Sequence, residues 1–487
     1  MGIIINQSFK NLVTTYFGFG IGAINTLFLF TYFLEQEYYG LVSFLLSAAN
    51  LIWPFLAFGV NSTLIKFFTS YKSKEEQDRL FNLVLLLPLM VSVVIGVVGL
   101  LSYDLLLEYF SDGNELVQPY IWLIFVIAVA TAYFEVFFSW SKIYYKSVFG
   151  NFMKEVFHRF CISMLLLTVY FDWISVNAFI YCVAGVFVFR SIAMAIYAFV
   201  LYMPEIGIKF PRNLMPVLKY TALILIASSV AMVLLDLDKV MIEYYLPIEN
   251  VAIYGIGIYI ATVISVPQKA MHQIIHPMTA NFLNTKDREG LKDLYKRSSV
   301  NLLIISAIIF ILIITNLGQL YEMIPEEYEL SVIVVLLISL VKLYDNMLGS
   351  NNSILFNSDY YRLVLGIGVL LSVLAFILNL IFIPLYGIEG AAIATFVAFF
   401  IYNTAKIFLV HKKFNIYPFS RLTWIILLFT GILCVAFYFW DFPFHPVLNI
   451  ILKSILICAI YFLVTVKLEF SEDINVLLRK YLKLKSL

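Results

Sequence analysis

Nine ionisable residues sit inside long apolar stretches of this sequence: Glu135, Arg190, Asp236, Asp238, Lys239, Lys269, Lys342, Asp345 and Lys453. An ionised side chain at a bilayer centre costs about 2.5–3.5 kcal/mol on insertion scales, so such groups face a cavity or a partner. The chemistry of the cations is anion recognition. Unpaired Lys and Arg in a cavity select a ligand rich in acceptor oxygens, and a diphosphate offers several for charge-assisted hydrogen bonds. Arg190, Lys269, Lys239 and Lys342, with His272 three residues after Lys269, are therefore the candidate substrate-binding residues. Glu135, Asp236, Asp238 and Asp345 are the candidates for coupling or ion pairing.

Each residue also has a plainer reading. Arg190 pairs internally with Glu135, or Lys342 with Asp345 three residues on, within helical reach. Lys239, with Asp236 and Glu243 on its face, and Lys453 snorkel to an interface. His272 and His276 share a face with Lys269 and either pack between helices or form a polar stripe running towards the cytoplasm. Cys161, Cys182, Cys434 and Cys458 lack metal-ligand spacing and read as small packing residues. The five histidines form no metal-spaced cluster, and no Gly-rich phosphate loop follows a strand. No catalytic residue, metal or cofactor is expected; a proton or sodium gradient or the membrane potential is the expected energy source.

The elements that hold these residues are set by composition. The chain is 62% hydrophobic and 13% charged, against about 25% charged in soluble domains. A bilayer core needs about 20 apolar residues per helix. Spans are expected at 12–34, 42–66, 81–103, 119–141, 155–171, 175–203, 217–246, 251–276, 299–320, 331–355, 361–385, 388–410, 421–441 and 446–466. The fold class is thus an all-α integral membrane protein with about 14 transmembrane helices.

Of the 32 Lys and Arg residues, 27 fall in every second gap between these spans or within about a turn of its edges. Examples are Lys72, Lys74 and Arg79; Lys142, Lys146, Lys154 and Arg159; and Lys406, Lys412 and Lys413. Short basic loops remain cytoplasmic, which places both termini on the cytoplasmic side of the membrane. The remaining five cations are Arg190, Lys239, Lys269, Lys342 and Lys453. Trp122, Trp140, Trp424 and Trp440 lie near span ends, where an aromatic belt is expected. The first span, with no basic region or cleavage site before it, reads as a retained helix.

The chain also repeats. YFLEQEYYG from Tyr32 and YYLPIENVAIYG from Tyr244 each lead into a helix with a proline, Pro54 and Pro267. Polar segments with helix-start character follow at Ser73 and Thr285, and the fourth and tenth spans carry Glu135 and Asp345 at matching points. The expected organisation is a six-helix bundle at 1–203, a cytoplasmic linker at 204–216 and a second six-helix bundle at 217–410. Two additional helices at 411–470 and a cytoplasmic amphipathic tail at 471–487 complete it. Six spans is an even number, so the bundles should be related by a pseudo-two-fold axis along the membrane normal, with a cleft at their interface.

YFLEQEYYGLVSF from Tyr32, DLDKVMIEYYLPIENVAIYG from Asp236 and IPLYGIEGAAIAT from Ile383 resemble the polysaccharide-exporter branch of the multidrug/oligosaccharidyl-lipid/polysaccharide exporter superfamily. The resemblance covers essentially the whole chain. It implies a transporter that flips an undecaprenyl-pyrophosphate-linked oligosaccharide to the outer leaflet by alternating access, for O-antigen, capsule or exopolysaccharide assembly. It carries over Asp238 and Lys239 as candidate functional residues. The implied partners are a lipid-linked glycan, membrane lipids and polysaccharide polymerase machinery; no nucleic acid is involved. A lipid II flippase and a cation-coupled multidrug exporter of the same superfamily are the alternatives. A membrane glycan polymerase or ligase would need a large outer loop with catalytic Arg or His, and the outer gaps are short.

Overall fold

The computed structural model describes residues 2–68, 70–105, 114–328 and 330–471. Among these residues the chain is helical with no strand, and its helices group into fourteen successive segments. They are α1 (2–33), α2 (36–68), α3 (74–101), α4 (115–143), α5 (147–170), α6 (176–201) and α7 (214–245). Next come α8 (249–284), α9 (288–321), α10 (332–357), α11 (361–386), α12 (388–414), α13 (421–438) and α14 (446–467). Helices dominate because lipid offers no partner to backbone N–H and C=O groups, and a helix satisfies them internally. The expected tail lies, from residue 472 onward, outside the described residues.

Among the described residues, ten helices are long and apolar enough to cross a membrane, eleven if the bent α10 is one span. Three segments are not counted separately. The first half of α5 carries Lys154, Glu155 and Arg159. In α7, Leu214–Ile226 forms a shorter apolar stretch. α11 and α12 count once, as the 53-residue stretch Arg362–Phe414; Gly387 divides them with φ 61° and ψ −140°, a conformation essentially reserved for glycine.

Breaks in the helices follow the repeat. α2 is interrupted at Phe58 and Gly59, four residues after Pro54, and α8 has a 3₁₀ turn at Val263–Ser265 just before Pro267. The two predicted helix starts are capped by side chains: Ser73 Oγ accepts from Glu76 N at 3.3 Å and Asp287 Oδ1 from Gly290 N at 2.9 Å. Both α1 and α5 contain a π-turn, at Asn25–Leu29 and Met153–Phe157. The two are tied together by Asn25, which donates to Arg159 O at 2.8 Å and accepts from Ser163 at 2.5 Å.

The chain forms two compact units, Met1–Gly255 and Ile256–Leu487. The boundary falls inside α8 rather than in the proline-rich stretch at 204–216. α7 is held to the first unit by side chains along its length. Thr221 bonds Thr63 at 3.0 Å, Asp236 accepts from Ser47 and Asn50, and Asn114 donates to Glu243 O at 2.9 Å. A methyl group on Gly40 would meet Ile248 O at 2.1 Å, so the two repeated motifs touch backbone to backbone at a residue that must be glycine.

Each unit has its own core. In the first, Trp140 is fully buried, stacked on Phe81 at 4.0 Å and edge-on to Phe199 at 5.5 Å. It therefore does not belong to the aromatic belt expected of it, whereas Trp122, Trp424 and Trp440 are exposed. In the second unit, α9 runs through the middle with Leu303, Ala307 and Ile311 packed against Leu343, Ile426, Ile457 and Tyr461. Lipid tails are as apolar as Leu, so such contacts stabilise through close packing rather than through removal of surface from water.

Candidate functional site

The first unit gathers charge where α4, α5 and α6 meet. Glu135 on α4 is buried, and its Oε1 accepts from Lys154 Nζ, in the π-turn of α5, at 2.5 Å. Lys142 and Arg190 lie within electrostatic range of the same carboxylate. Arg190 itself is 5% exposed and stacks between Phe134 and Phe187, its guanidinium carbon 4.3 and 4.6 Å from the ring centroids. Such cation–π contacts favour a desolvated guanidinium, but they leave its buried Nε without a hydrogen bond. His158, one turn beyond Lys154, has its ring 5.8 Å from Phe187 and an unbonded buried Nδ1. Arg159 bonds Glu155 on its own helix at 3.3 Å. Glu135 thus pairs with Lys154, not with Arg190 as the simplest pairing would have it.

The motif at the end of α7 sits beside α2 and the start of α8. Asp236 is buried against Ser47 and Asn50 with Lys239 in electrostatic range. Asp238 is buried and accepts from Tyr254 Oη at 2.6 Å. Lys239 is half-buried.

In the second unit the acid is Asp345 on α10. Its Oδ2 accepts from Gln268 Nε2 of α8 at 3.0 Å, and its Oδ1 faces Lys406 Nζ of α12 at 3.5 Å. Lys406 is 1% exposed, donates to Asn352 Oδ1 at 3.0 Å and lies over the Tyr402 ring at 4.5 Å. Lys342 lies within electrostatic range of Asp345 and 5.9 Å from the Phe399 ring. Lys269 is exposed, while His272 Nε2 donates to Gly349 O at 3.3 Å. The stripe that faces α10 is Gln268, His272 and His276; Lys269 stands beside it.

Lys453 does not snorkel. It is fully buried and donates to Thr315 O at 2.6 Å and to Asp441 Oδ1 at 2.8 Å, joining α14 to α9 and to the loop before α14.

The model of the polysaccharide biosynthesis protein family matches residues 6–282, more than half of the chain. This chain belongs to that family. No curated protein sequence matches it. Among solved structures, the lipid II flippase MurJ in an inward closed conformation overlays with a TM-score of 0.70 at 14% identity, over 94% of this chain and 99% of that one. A multidrug-resistance MATE family transporter of the MOP superfamily, inward-facing, gives 0.58 at 15% identity, over 85% and 95%. A MOP superfamily transporter from Pyrococcus furiosus, described as having a binding pocket of reversed polarity, gives 0.52 at 13% identity, over 85% and 93%. The fold of this polysaccharide biosynthesis protein is thus that of MOP superfamily transporters, in a multi-pass membrane protein.

Within this family member the structure brings Arg190 near Glu135, and Lys342 and His272 near Asp345. Reasoning from sequence missed Lys154, Lys406 and His158. The first two were counted with the loop cations, and the available signal was their place within a turn of an apolar run.

Proposed function

We propose that this protein flips an undecaprenyl-pyrophosphate-linked oligosaccharide from the cytoplasmic to the outer leaflet of the bacterial cell membrane, by alternating access. The glycan would feed O-antigen, capsule or exopolysaccharide assembly, and the flippase would hand it to polysaccharide polymerase machinery. On this reading both termini are cytoplasmic, the repeats at 1–203 and 217–410 are the moving bundles, and an ion gradient or the membrane potential supplies the energy.

One observation carries the reading. Around the π-turn of α5, the cations Lys142, Lys154, Arg159 and Arg190 face two carboxylates among the described residues, Glu135 and Glu155. The surplus positive charge suits an anion, and Arg190 Nε has unspent hydrogen-bonding capacity. A buried polar atom without a partner costs about 1–3 kcal/mol, which an incoming phosphate oxygen on Arg190 would recover. Lys154, 42% exposed in its side chain, is the group a phosphate would meet first, with Arg190 next behind it.

The lipid II reading shares the diphosphate and is favoured by the TM-score of 0.70 with the lipid II flippase MurJ. Depletion of the protein followed by analysis of lipid-linked glycans tests both readings. An accumulated undecaprenyl-linked repeat unit on the inner leaflet supports glycan export, and accumulated lipid II supports the alternative. Unchanged lipid pools with lost drug tolerance would sink both. Arg190→Ala and Lys269→Ala should each lower export by about tenfold or more at unchanged protein level, the loss of one charge-assisted hydrogen bond worth about 1.5–3 kcal/mol.

A further inference from the structure

We infer that Gln268, His272 and His276 form a polar zipper between α8 and α10 that positions Lys269, so that these three are positioning residues and not substrate ligands. The inference rests on the reading of Lys269 as an anion ligand. The three residues are spaced i, i+4 and i+8, which puts them on one face of a helix. Each meets α10. Gln268 donates to Asp345 Oδ2 at 3.0 Å, His272 to Gly349 O at 3.3 Å, and His276 accepts from Asn357 Nδ2 at 3.0 Å on Nδ1 and 3.2 Å on its carbonyl.

The zipper lies where both helices are broken. α10 bends by 58° between Val332–Met347 and Asn351–Asn357, with Gly349 at φ 53°. A bend of this kind frees backbone groups that lipid cannot satisfy, and side chains take them up. Ser298 Oγ accepts from Ser350 N at 3.0 Å, Ser299 donates to Met347 O at 2.5 Å, and His272 serves the Gly349 carbonyl. On the other side, the Val266–Asn284 part of α8 starts after a 3₁₀ turn, and Ser265 gives it no side-chain cap. Asn346 Nδ2 of α10 donates to Ile264 O at 2.7 Å inside that 3₁₀ turn, and the bond from Gln268 to Asp345 continues the tie into the first helical turn. That anchor is itself rigid, since Lys406 holds both Asp345 and Asn352.

Lys269 follows Gln268 and so projects about 100° around the helix from it. It is exposed and has no ion pair within 4 Å among the described residues. Its position is inherited from the backbone of α8, and the zipper sets that backbone. A four-carbon stem tolerates some error in placement. The zipper therefore contributes direction, and its loss should alter where the ammonium group can reach before it alters folding.

The experiment uses the full-length protein in native membranes, with the four cysteines replaced by Ser and Lys269→Cys introduced. The reaction rate of that thiol with an anionic and a cationic methanethiosulfonate is measured alone and combined with His272→Leu, His272→Gln or Gln268→Leu. His272→Leu and Gln268→Leu should change the rate several-fold, and His272→Gln, which keeps an N–H donor for Gly349 O, should restore it. Unchanged rates in both Leu variants at normal protein level would overturn the zipper. If His272→Leu fails to accumulate, Gln268→Leu and the more exposed His276→Leu decide by the same rates. Glycan export by the His272→Leu and Gln268→Leu variants with Lys269 intact is measured in parallel. A changed rate with full export would remove Lys269 from the proposed transport and leave the zipper standing.

Discussion

The two halves of the repeat place an acid at the same point and use it in opposite ways. Glu135 and Asp345 each bond a lysine from a neighbouring helix, Lys154 at 2.5 Å and Lys406 at 3.5 Å. In the first pair the carboxylate is inside and the lysine reaches out, with side-chain exposures of 10% and 42%. In the second the lysine is inside at 2% and the carboxylate is the more open partner at 25%. The more exposed partner is thus a cation in the first unit and a carboxylate in the second. The difference comes from which helix supplies the lysine. Lys154 stands in a π-turn near the start of α5, where its stem can bend outward. Lys406 stands well inside α12 between Tyr402 and Asn352, where it cannot.

The largest test of that contrast is Lys406→Met. Removing one partner of a buried pair leaves an uncompensated charge and costs about 3–5 kcal/mol. Asp345 would keep the Gln268 bond, with Lys342 and His272 within electrostatic range. We expect a marked fall in the thermal unfolding midpoint of the detergent-solubilised protein, and recovery of most of it in the double variant Asp345→Asn/Lys406→Met. A Lys406→Met protein as stable as the parent would show that the inner lysine of the second unit is not held as a charge.

Lys154→Met should cost less, about 1–2 kcal/mol, because a half-exposed partner is screened by solvent. Glu135 also retains Lys142 and Arg190 within range. Its loss should appear in glycan export before it appears in the unfolding midpoint. Equal destabilisation by Lys154→Met and Lys406→Met would erase the asymmetry between the units.

The sequence foretold the scaffold far better than the pairing. Run length alone places fourteen helices, since each must span a fixed thickness of hydrocarbon. The repeat located Glu135 and Asp345 because an acid in an apolar run stands out. Their partners did not stand out. Lys154 and Lys406 lie near the ends of apolar runs, and linear position cannot say whether a long stem turns to water or to a carboxylate on another helix. Lys453 misled in the reverse sense. It looked free to snorkel, yet it is buried on Thr315 O and Asp441, a meeting of α9, α14 and their neighbouring loop that no local pattern encodes. Trp140 failed for the same reason: a tryptophan near a span end reads as a belt residue until its neighbours, Phe81 and Phe199, are known.

The smallest effect belongs to the most exposed of the three pairs, at 22% and 65% for its two side chains. Glu75 and Arg79, in the first turns of α3, bond at 2.6 Å with i,i+4 spacing. Arg79 beside it, by hydrogen bond and by charge, holds the Glu75 carboxyl below its ordinary value. A depressed carboxylate contributes stability above its unfolded value, about 4.3, and loses it as pH falls through the folded one. Glu75→Gln should therefore leave the unfolding midpoint at pH 7 within measurement error and slightly flatten its decline in acid. The geometry is as short as that of Glu135 and Lys154, so distance cannot rank the three pairs; burial does. A Glu75→Gln protein destabilised more than Lys154→Met would reverse that ranking, and with it the argument that the inner lysine of the second unit matters most.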